Sequence, residues 1–394
     1  MRNLIYRLTE PGHGIPDERK IFSNQALKVL IVPLFLEQLL EVLVGICDTF
    51  MVSYAGEAAV SGVSLVNMFN TVFIFLFSAL AAGGAVVVSQ YIGSCDKKNA
   101  DLSAGQLMMI AVVFSVAAML FSLILNRPLL RLLFGEVDRD VMEACVTYLK
   151  ISAYSYPAIA VYNAGDAVYR SMGKTGVTMN ISLAANGINI AGNAVGVFVL
   201  HAGVAGVAYP SLIARTFSAV VIMVLCFGRS SEQVRLTWRN IFRCDGQMVK
   251  RILGIAVPNG VAQSFWSMAA LMGTALGLAF VTVIGQCMGA GDTEAADLVL
   301  ILIVIHNIFN AFLYPFSGAL ANGLRAAGDV KFTMYVSIFS TIGCRVVFSV
   351  LFGIWLDLGV IGVAFAMCLD WMIRAAFFWF RFRSGRWKTF RVIG

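Results

Sequence analysis

Three carboxylates, Glu37, Glu41 and Asp48, stand in one long apolar stretch near the start of this 394-residue chain. On a helix, offsets of four and seven residues place Glu41 and Asp48 about 40° and −20° from Glu37, so all three share one face. Acids in such a setting are costly to bury, face a cavity and mark ion or proton pathways. Asp48, the deepest, is the natural group for a coupling sodium ion or proton. Glu37 is either a second coupling group or an acid that is solvated or paired with an arginine. Further along, Asn186, Asn189 and Asn193 fall on one helical stripe. Their amide oxygens suit sodium and their amides suit drugs. The competing reading is helix–helix hydrogen bonding, aided by the small residues Gly192 and Gly196. The expected cation-coupling set is therefore Asp48, Glu37, Asn189 and Asn193, with sodium at Asp48, Asn189 and Asn193. The expected substrate cavity is Gln38, Glu41, Asn67, Asn70, Asn186, Asn259 and Gln263.

Other chemistry is poorly supplied. The eight cysteines are scattered without a CxxC pair and there are three histidines, so zinc, iron–sulfur and disulfide frameworks are not expected. Gly173-Lys174-Thr175 mimics the end of a phosphate-binding loop, but Val168 stands where the earlier glycine belongs. No Ser-His-Asp or HExxH arrangement occurs, so no enzyme and no bound cofactor is expected. Arg345, in mid-span, needs a buried partner: Asp357 or an acid of another helix. Asp370 with Arg374 and Asp166 with Arg170 are each four apart and pair on one helix. Arg215 has no evident partner. Met51, Met68, Phe69, Phe73 and Phe77 read as packing or as a pliable cavity wall.

These groups need elements that hold them in a membrane. The chain is 59% hydrophobic and 13% charged, with mean hydropathy +0.82, against about 45–50% and about 25% in soluble domains. Residues 58–95, 102–126, 175–214, 252–291 and 298–324 carry no Asp, Glu, Lys or Arg. Each run exceeds the ~20 residues of a membrane-spanning helix, and helices satisfy their own backbone in lipid. The composition excludes a soluble enzyme, a disordered chain and a nucleic-acid-binding domain. The net charge of +7 reads as topology: the basic segments around 229–251 and 381–391 stay cytoplasmic. The expected organisation is a cytoplasmic segment 1–28 without the apolar core of a cleavable leader, a first transmembrane lobe 29–228, a basic cytoplasmic loop 229–251, a second lobe 252–380 and a basic cytoplasmic tail 381–394. Within the first lobe the expected spans are 29–51, 62–91, 103–126, 146–168, 178–200 and 204–227.

An internal repeat links the lobes. Gln90-x-x-Gly93-x-x-Asp96 with Ala100-Asp101-Leu102 recurs as Gln286-x-x-Gly289-x-x-Asp292 with Ala296-Asp297-Leu298. Arg170-x-x-Gly173, Thr178-Met179 and Ser182 recur as Arg325-x-x-Gly328, Thr333-Met334 and Ser337. Gly203-Val204-x-Gly206-Val207-Ala208 recurs as Gly359-Val360-x-Gly362-Val363-Ala364. Between equivalent landmarks the second copy is shorter by 41 residues (Gln286 to Arg325) and by 29 (Pro258 to Gln286, with Pro33 as the equivalent of Pro258). Restoring both gives a six-plus-six chain. As it stands, charge parity gives ten spans: six in the first lobe and about four in the second, the last two at 332–353 and 358–380. Residues 252–291 and 298–324 then cross once each, or form a cramped hairpin and a re-entrant segment. Single crossings require a break in 252–291 at Pro258, Gly260 or Gly273.

The motifs Pro33-Leu34-x-x-Glu37-Gln38-Leu39, Cys47-Asp48-Thr49-x-Met51-Val52-Ser53, Gly83-Gly84 through Gln90-Tyr91-Ile92-Gly93, Gly285-Gln286-x-x-Gly289 and Leu324-Arg325-Ala326-Ala327-Gly328-Asp329 resemble the multidrug and toxic compound extrusion (MATE) transporter family. The resemblance covers nearly the whole chain outside the two gaps. It implies an all-α, two-lobe helical bundle around a central cavity, alternating access, and export of organic cations driven by sodium or proton entry across the cell membrane. It implies a coupling role for Asp48. It also marks two departures: Asn193 stands where many relatives have Asp, and Ala262 where many have Glu. A lipid-linked-precursor flippase of related plan, expected to line its cavity with arginines, and a transport-deficient shortened relic are the alternatives. The expected partners are a small organic cation and the lipid bilayer, with a second chain completing the shortened lobe as one outcome of the missing helices.

Overall fold

The computed structural model describes residues 24–54, 56–135, 138–228 and 233–390. Most of the segment 1–28, the first residues of the loop at 229 and the last four of the tail lie outside the described residues. Among the described residues every regular element is helical. The order is α1 (Asn24–Ser53), α2 (Glu57–Gly93), α3 (Lys97–Ile124), α4 (Asn126–Phe134), α5 (Arg139–Tyr154), α6 (Tyr156–Ser171), α7 (Thr175–Ala194) and α8 (Ala205–Phe227). Then come α9 (Trp238–Phe242), α10 (Gly246–Gly289), α11 (Thr293–Tyr314), α12 (Leu320–Ala326), α13 (Val330–Ile338), α14 (Val347–Val350) and α15 (Gly359–Arg383). Nine helical runs among the described residues are long and apolar enough to cross a membrane.

The fourth expected span, 146–168, is not one helix but two, α5 and α6, separated at Ser155. Pro157 sits in the first turn of α6. It has no N–H to bond one turn back, and its ring disfavours continuation. The Ser155 hydroxyl donates to the Ser152 carbonyl at 2.6 Å and accepts from Arg215 Nη1 at 2.8 Å. The break therefore supplies the partner that the sequence did not reveal for Arg215.

The duplication is written into the backbone. π-Helical turns close α7 at Val195–Val199 and the equivalent second-lobe run at Leu351–Trp355. Positive φ angles follow at His201 and Gly203 in one copy and at Asp357 and Gly359 in the other. Cys95 and Gly291, equivalent by sequence, also share positive φ. Asp96 caps α3 by accepting from Asn99 N at 3.1 Å, and Asp292 caps α11 from Ala295 N at 3.0 Å. The Asn99 side chain and backbone hold the Asp96 carboxyl below the usual carboxylate range. Each copy also brings two backbones together at a repeated glycine. A Cβ on Gly206 would lie 2.6 Å from the Gly196 carbonyl oxygen, and one on Gly362 would lie 2.6 Å from that of Phe352.

The shortened regions are single helices. α10 runs unbroken for 44 residues through Pro258, Gly260 and Gly273, so the expected break does not occur. Membrane helices tolerate such residues where neighbours re-satisfy the backbone, and α10 packs closely on α2: a Cβ on Gly83 would lie 2.6 Å from Ala256 Cα. α11 continues through a π turn at Pro315–Ala319 into α12. Each run thus joins the start of one repeat helix to the end of the next. Both the α11–α12 run and α1 of the first lobe are largely uncovered, with 11% and 6% of their apolar stretches buried against 39% for α3.

Candidate functional site

α1 and α7 meet so that Asp48 faces the asparagine stripe. Asn193 Nδ2 donates to Asp48 Oδ1 at 2.8 Å and to Asn189 Oδ1 at 2.7 Å, and Asn189 Nδ2 donates to Ser211 Oγ of α8 at 3.1 Å. Asn193 is fully buried and Asp48 is half-buried. The carboxylate fixes the orientation of the Asn193 amide, because turning it over would set oxygen against oxygen. Its Oδ1 is consequently left buried with no hydrogen-bond partner. Buried acceptors are nearly always satisfied. The cluster gathers a carboxylate, two amide oxygens and a hydroxyl, oxygen types that suit a hard cation, with the Asn193 nitrogen, rather than its orphan oxygen, turned toward Asp48 and Asn189. No group of three or more His, Cys, Asp or Glu suited to a metal occurs among the described residues, so this set has one carboxylate and otherwise neutral oxygens. Arg215 lies within electrostatic reach of Asp48.

The other expected site residues distribute differently. Glu37 is buried and ion-paired with Arg170 Nη2 at 3.3 Å, while Arg170 Nε bonds Asp166 at 2.8 Å. Eleven residues of helix, roughly 16 Å of rise, separate it from Asp48. The structure therefore brings Glu37 to a different cluster, one that ties α1 to α6. Glu41 is exposed and accepts from Gln38 Nε2 at 3.2 Å. Asn67 and Asn70 accept from the hydroxyls of Tyr148 (3.2 Å) and Tyr156 (2.7 Å), and Asn70 Nδ2 is buried without a partner. Asn186 is half-buried on the α7 stripe, and Gln263 is half-buried on α10. Asn259 accepts from Arg325 Nη1 at 3.0 Å. Phe69, Phe73, Phe77 and Tyr156 form one aromatic cluster, whereas Met68 is exposed.

Sequence spacing found the Asp166–Arg170 and Asp370–Arg374 pairs, the latter at 3.1 Å. The partner of Arg345 is Asp370 at 3.2 Å, not Asp357. Sequence reasoning kept pairing with an arginine as one reading of Glu37 but did not identify Arg170 as the partner. The repeat does carry a signal for it: in the second lobe, where Arg325 is the copy of Arg170, Ala262 and Ala321 stand at the sequence positions equivalent to Glu37 and Asp166.

The architecture, a helical bundle of two repeat-related halves with a polar cluster between helices of the first, is shared with solved membrane-transporter structures. Solved structures of this architecture superpose closely. They include MATE in the bent conformation (TM-score 0.76, 19% identity, 92% of this chain and 96% of that chain). They also include an outward-facing multidrug resistance MATE family transporter of the MOP superfamily (TM-score 0.77, 19% identity, 93% and 97%). The MatE family model matches residues 33–195, the stretch that contains Asp48, Asn189 and Asn193. Relatives include Uncharacterized transporter YisQ of Bacillus subtilis, 26% identical over 94% of this chain and 98% of that protein. Probable multidrug resistance protein NorM of Thermotoga maritima is 23% identical over 69% and 57%, and human Multidrug and toxin extrusion protein 1 is 25% identical over 83% and 56%. The chain is thus similar to the MATE family of transporters, by sequence most directly over residues 33–195. It spans a little over half the length of the latter two relatives. The YisQ alignment runs over 456 positions but takes in 94% of this chain, about 370 of its 394 residues, so about 86 positions face gaps in this chain.

Proposed function

We propose that the chain is a secondary active antiporter of the cell membrane that exports drug-like organic cations in exchange for sodium ions or protons. The observation that carries this reading is the Asp48–Asn193–Asn189 cluster with its orphan Asn193 oxygen. That oxygen favours sodium, which takes several oxygen ligands at once. The proposed topology has ten crossings, with both ends cytoplasmic and the Asp292 loop outside, because α10 and α11–α12 each cross once. Alternating access in repeat-built carriers rocks one bundle against the other. With two helix pairs each reduced to one, a single copy is proposed to bind ion and substrate in its first lobe and to export slowly, unless a second chain completes the wall. Ethidium efflux from a pump-deficient bacterial cell tests the reading. Slow efflux that disappears in Asp48→Asn and rises when the missing segments are restored supports it. Efflux unchanged by Asp48→Asn contradicts it.

A further inference from the structure

The two halves of the bundle have opposite polarity. Around Arg170 the first half sets two acids. At the sequence positions equivalent to those acids the second half has Ala262 and Ala321, and the Arg325 guanidinium bonds the Asn259 side-chain oxygen and the Ala321 carbonyl. Deeper in the second half lies a cavity of about 420 Å³ between α10, α11, the π-helical turn Phe339–Val346 and α15. Arg345, Arg374 and Asp370 form its floor, all at most 2% exposed. Two guanidinium groups that stay protonated face one carboxylate, which leaves a surplus positive charge in a buried place.

The two arginines are not equally satisfied. Arg374 donates to Ser340 Oγ, Thr341 Oγ1 and Asp370 Oδ1 at 3.0–3.1 Å. Arg345 has its ion pair with Asp370 Oδ2, but neither Arg345 Nε nor that oxygen has a hydrogen-bond partner. The walls are aromatic. Trp266 lies under Arg374 at 5.1 Å and Trp371 under Arg345 at 5.8 Å. His306 leans on Trp371 at 5.0 Å. Asn307 and Tyr314 also line the cavity and are exposed. The volume falls in the range of small-molecule pockets, whose apolar walls give affinity and whose few polar groups give orientation.

We infer that this second-lobe cavity is a binding site for an aromatic carboxylate, separate from the cation cluster of the first lobe, with Arg345 as its principal anion-binding residue. A carboxylate takes the planar guanidinium fork in a bidentate manner and neutralises the surplus charge, while the ring lies against Trp266 and Trp371. Asp370 is then an internal competitor that occupies part of the arginine pair when the site is empty.

The test uses the full chain in nanodiscs of zwitterionic lipid and three probes with one ring and different charge: 2-naphthoate, neutral 2-naphthamide and 2-naphthylmethylammonium, with acetate and inorganic phosphate as competitors. The expected result is that naphthoate binds at least tenfold tighter than either ring analogue and resists both competitors at equal concentration. Arg345→Gln should erase that preference and Arg345→Lys should weaken it without erasing it. Asp370→Asn should tighten naphthoate binding severalfold, which a purely architectural ion triad would not do. Equal binding of naphthamide in the unaltered chain overturns the proposal without reliance on any variant. Displacement by acetate or phosphate, which would mark a bare anion or phosphate-headgroup site, also overturns it, as does wild-type preference in a folded Arg345→Gln.

Discussion

Asn193→Ala removes the amide that joins α1 to α7, and the structure sets the size of its effect. Two hydrogen bonds go: one to the Asp48 carboxylate at 2.8 Å and one to the Asn189 oxygen at 2.7 Å. A bond to a charged group contributes about 1.5–3 kcal/mol and a neutral one about 0.5–1.5 kcal/mol. The substitution also removes the buried, unpartnered Oδ1, and relief of such a group returns about 1–3 kcal/mol. With no coupling ion present, the net cost is therefore about 1 kcal/mol. With the ion bound, Oδ1 is a ligand, the relief vanishes, and the cost rises to about 3 kcal/mol. The difference of about 2 kcal/mol corresponds to roughly a 30-fold loss of ion affinity. Thermal unfolding of the purified chain and of Asn193→Ala, titrated with sodium at fixed pH and with pH in sodium-free buffer, reads this out. Ligands that bind only the folded state raise its stability, so the gap between the two proteins should widen along one of the titrations. A gap that stays constant along both would refute an ion at this amide.

Gly206→Ala and Gly362→Ala should each destabilise by about 1–3 kcal/mol through overpacking, because both place a methyl about 2.6 Å from a backbone oxygen; unchanged unfolding midpoints would contradict the close approach. Arg170→Met should cost about 3 kcal/mol by leaving Glu37 and Asp166 unpaired. Glu37→Gln should cost about 1 kcal/mol, since Asp166 still holds the half-exposed arginine; the reverse order, in thermal unfolding, would show that the ion cluster is misassigned. Reporter fusions after Arg251, Asp292, Arg325 and Arg383 should report inside, outside, inside and inside; an outside reading at Arg383 breaks the parity of ten crossings.

Much of the architecture was legible because membrane helices announce themselves by charge-free runs and because a duplicated chain repeats its turns. The Gly203 and Gly359 motifs mark the same positive-φ corner in both halves, and the Asp96 and Asp292 caps recur in step with their sequences. Helical spacing placed Asp48 and the asparagine stripe on faces that the fold brings together. It also grouped Glu37 with Asp48, and there it failed. A shared helical face says nothing of depth, and Arg170, distant in sequence, claims Glu37. Local pattern likewise missed the division at Ser155, set by one proline, and overstated the effect of Pro258, which α10 absorbs. The partners of Arg215 and Arg345 lie on other helices, at sequence separations of 60 and 25 residues, which no periodicity encodes.

The most direct measurement is equilibrium binding of a cationic dye such as ethidium to the purified chain in nanodiscs, with sodium and pH as competitors, in the unaltered protein and in Asp48→Asn. Saturable dye binding that one of the two cations displaces, and that Asp48→Asn weakens at least tenfold while the protein stays folded, is the predicted result. Dye binding of equal strength in Asp48→Asn, or insensitive to both cations, would contradict a first-lobe site in which ion and substrate share Asp48.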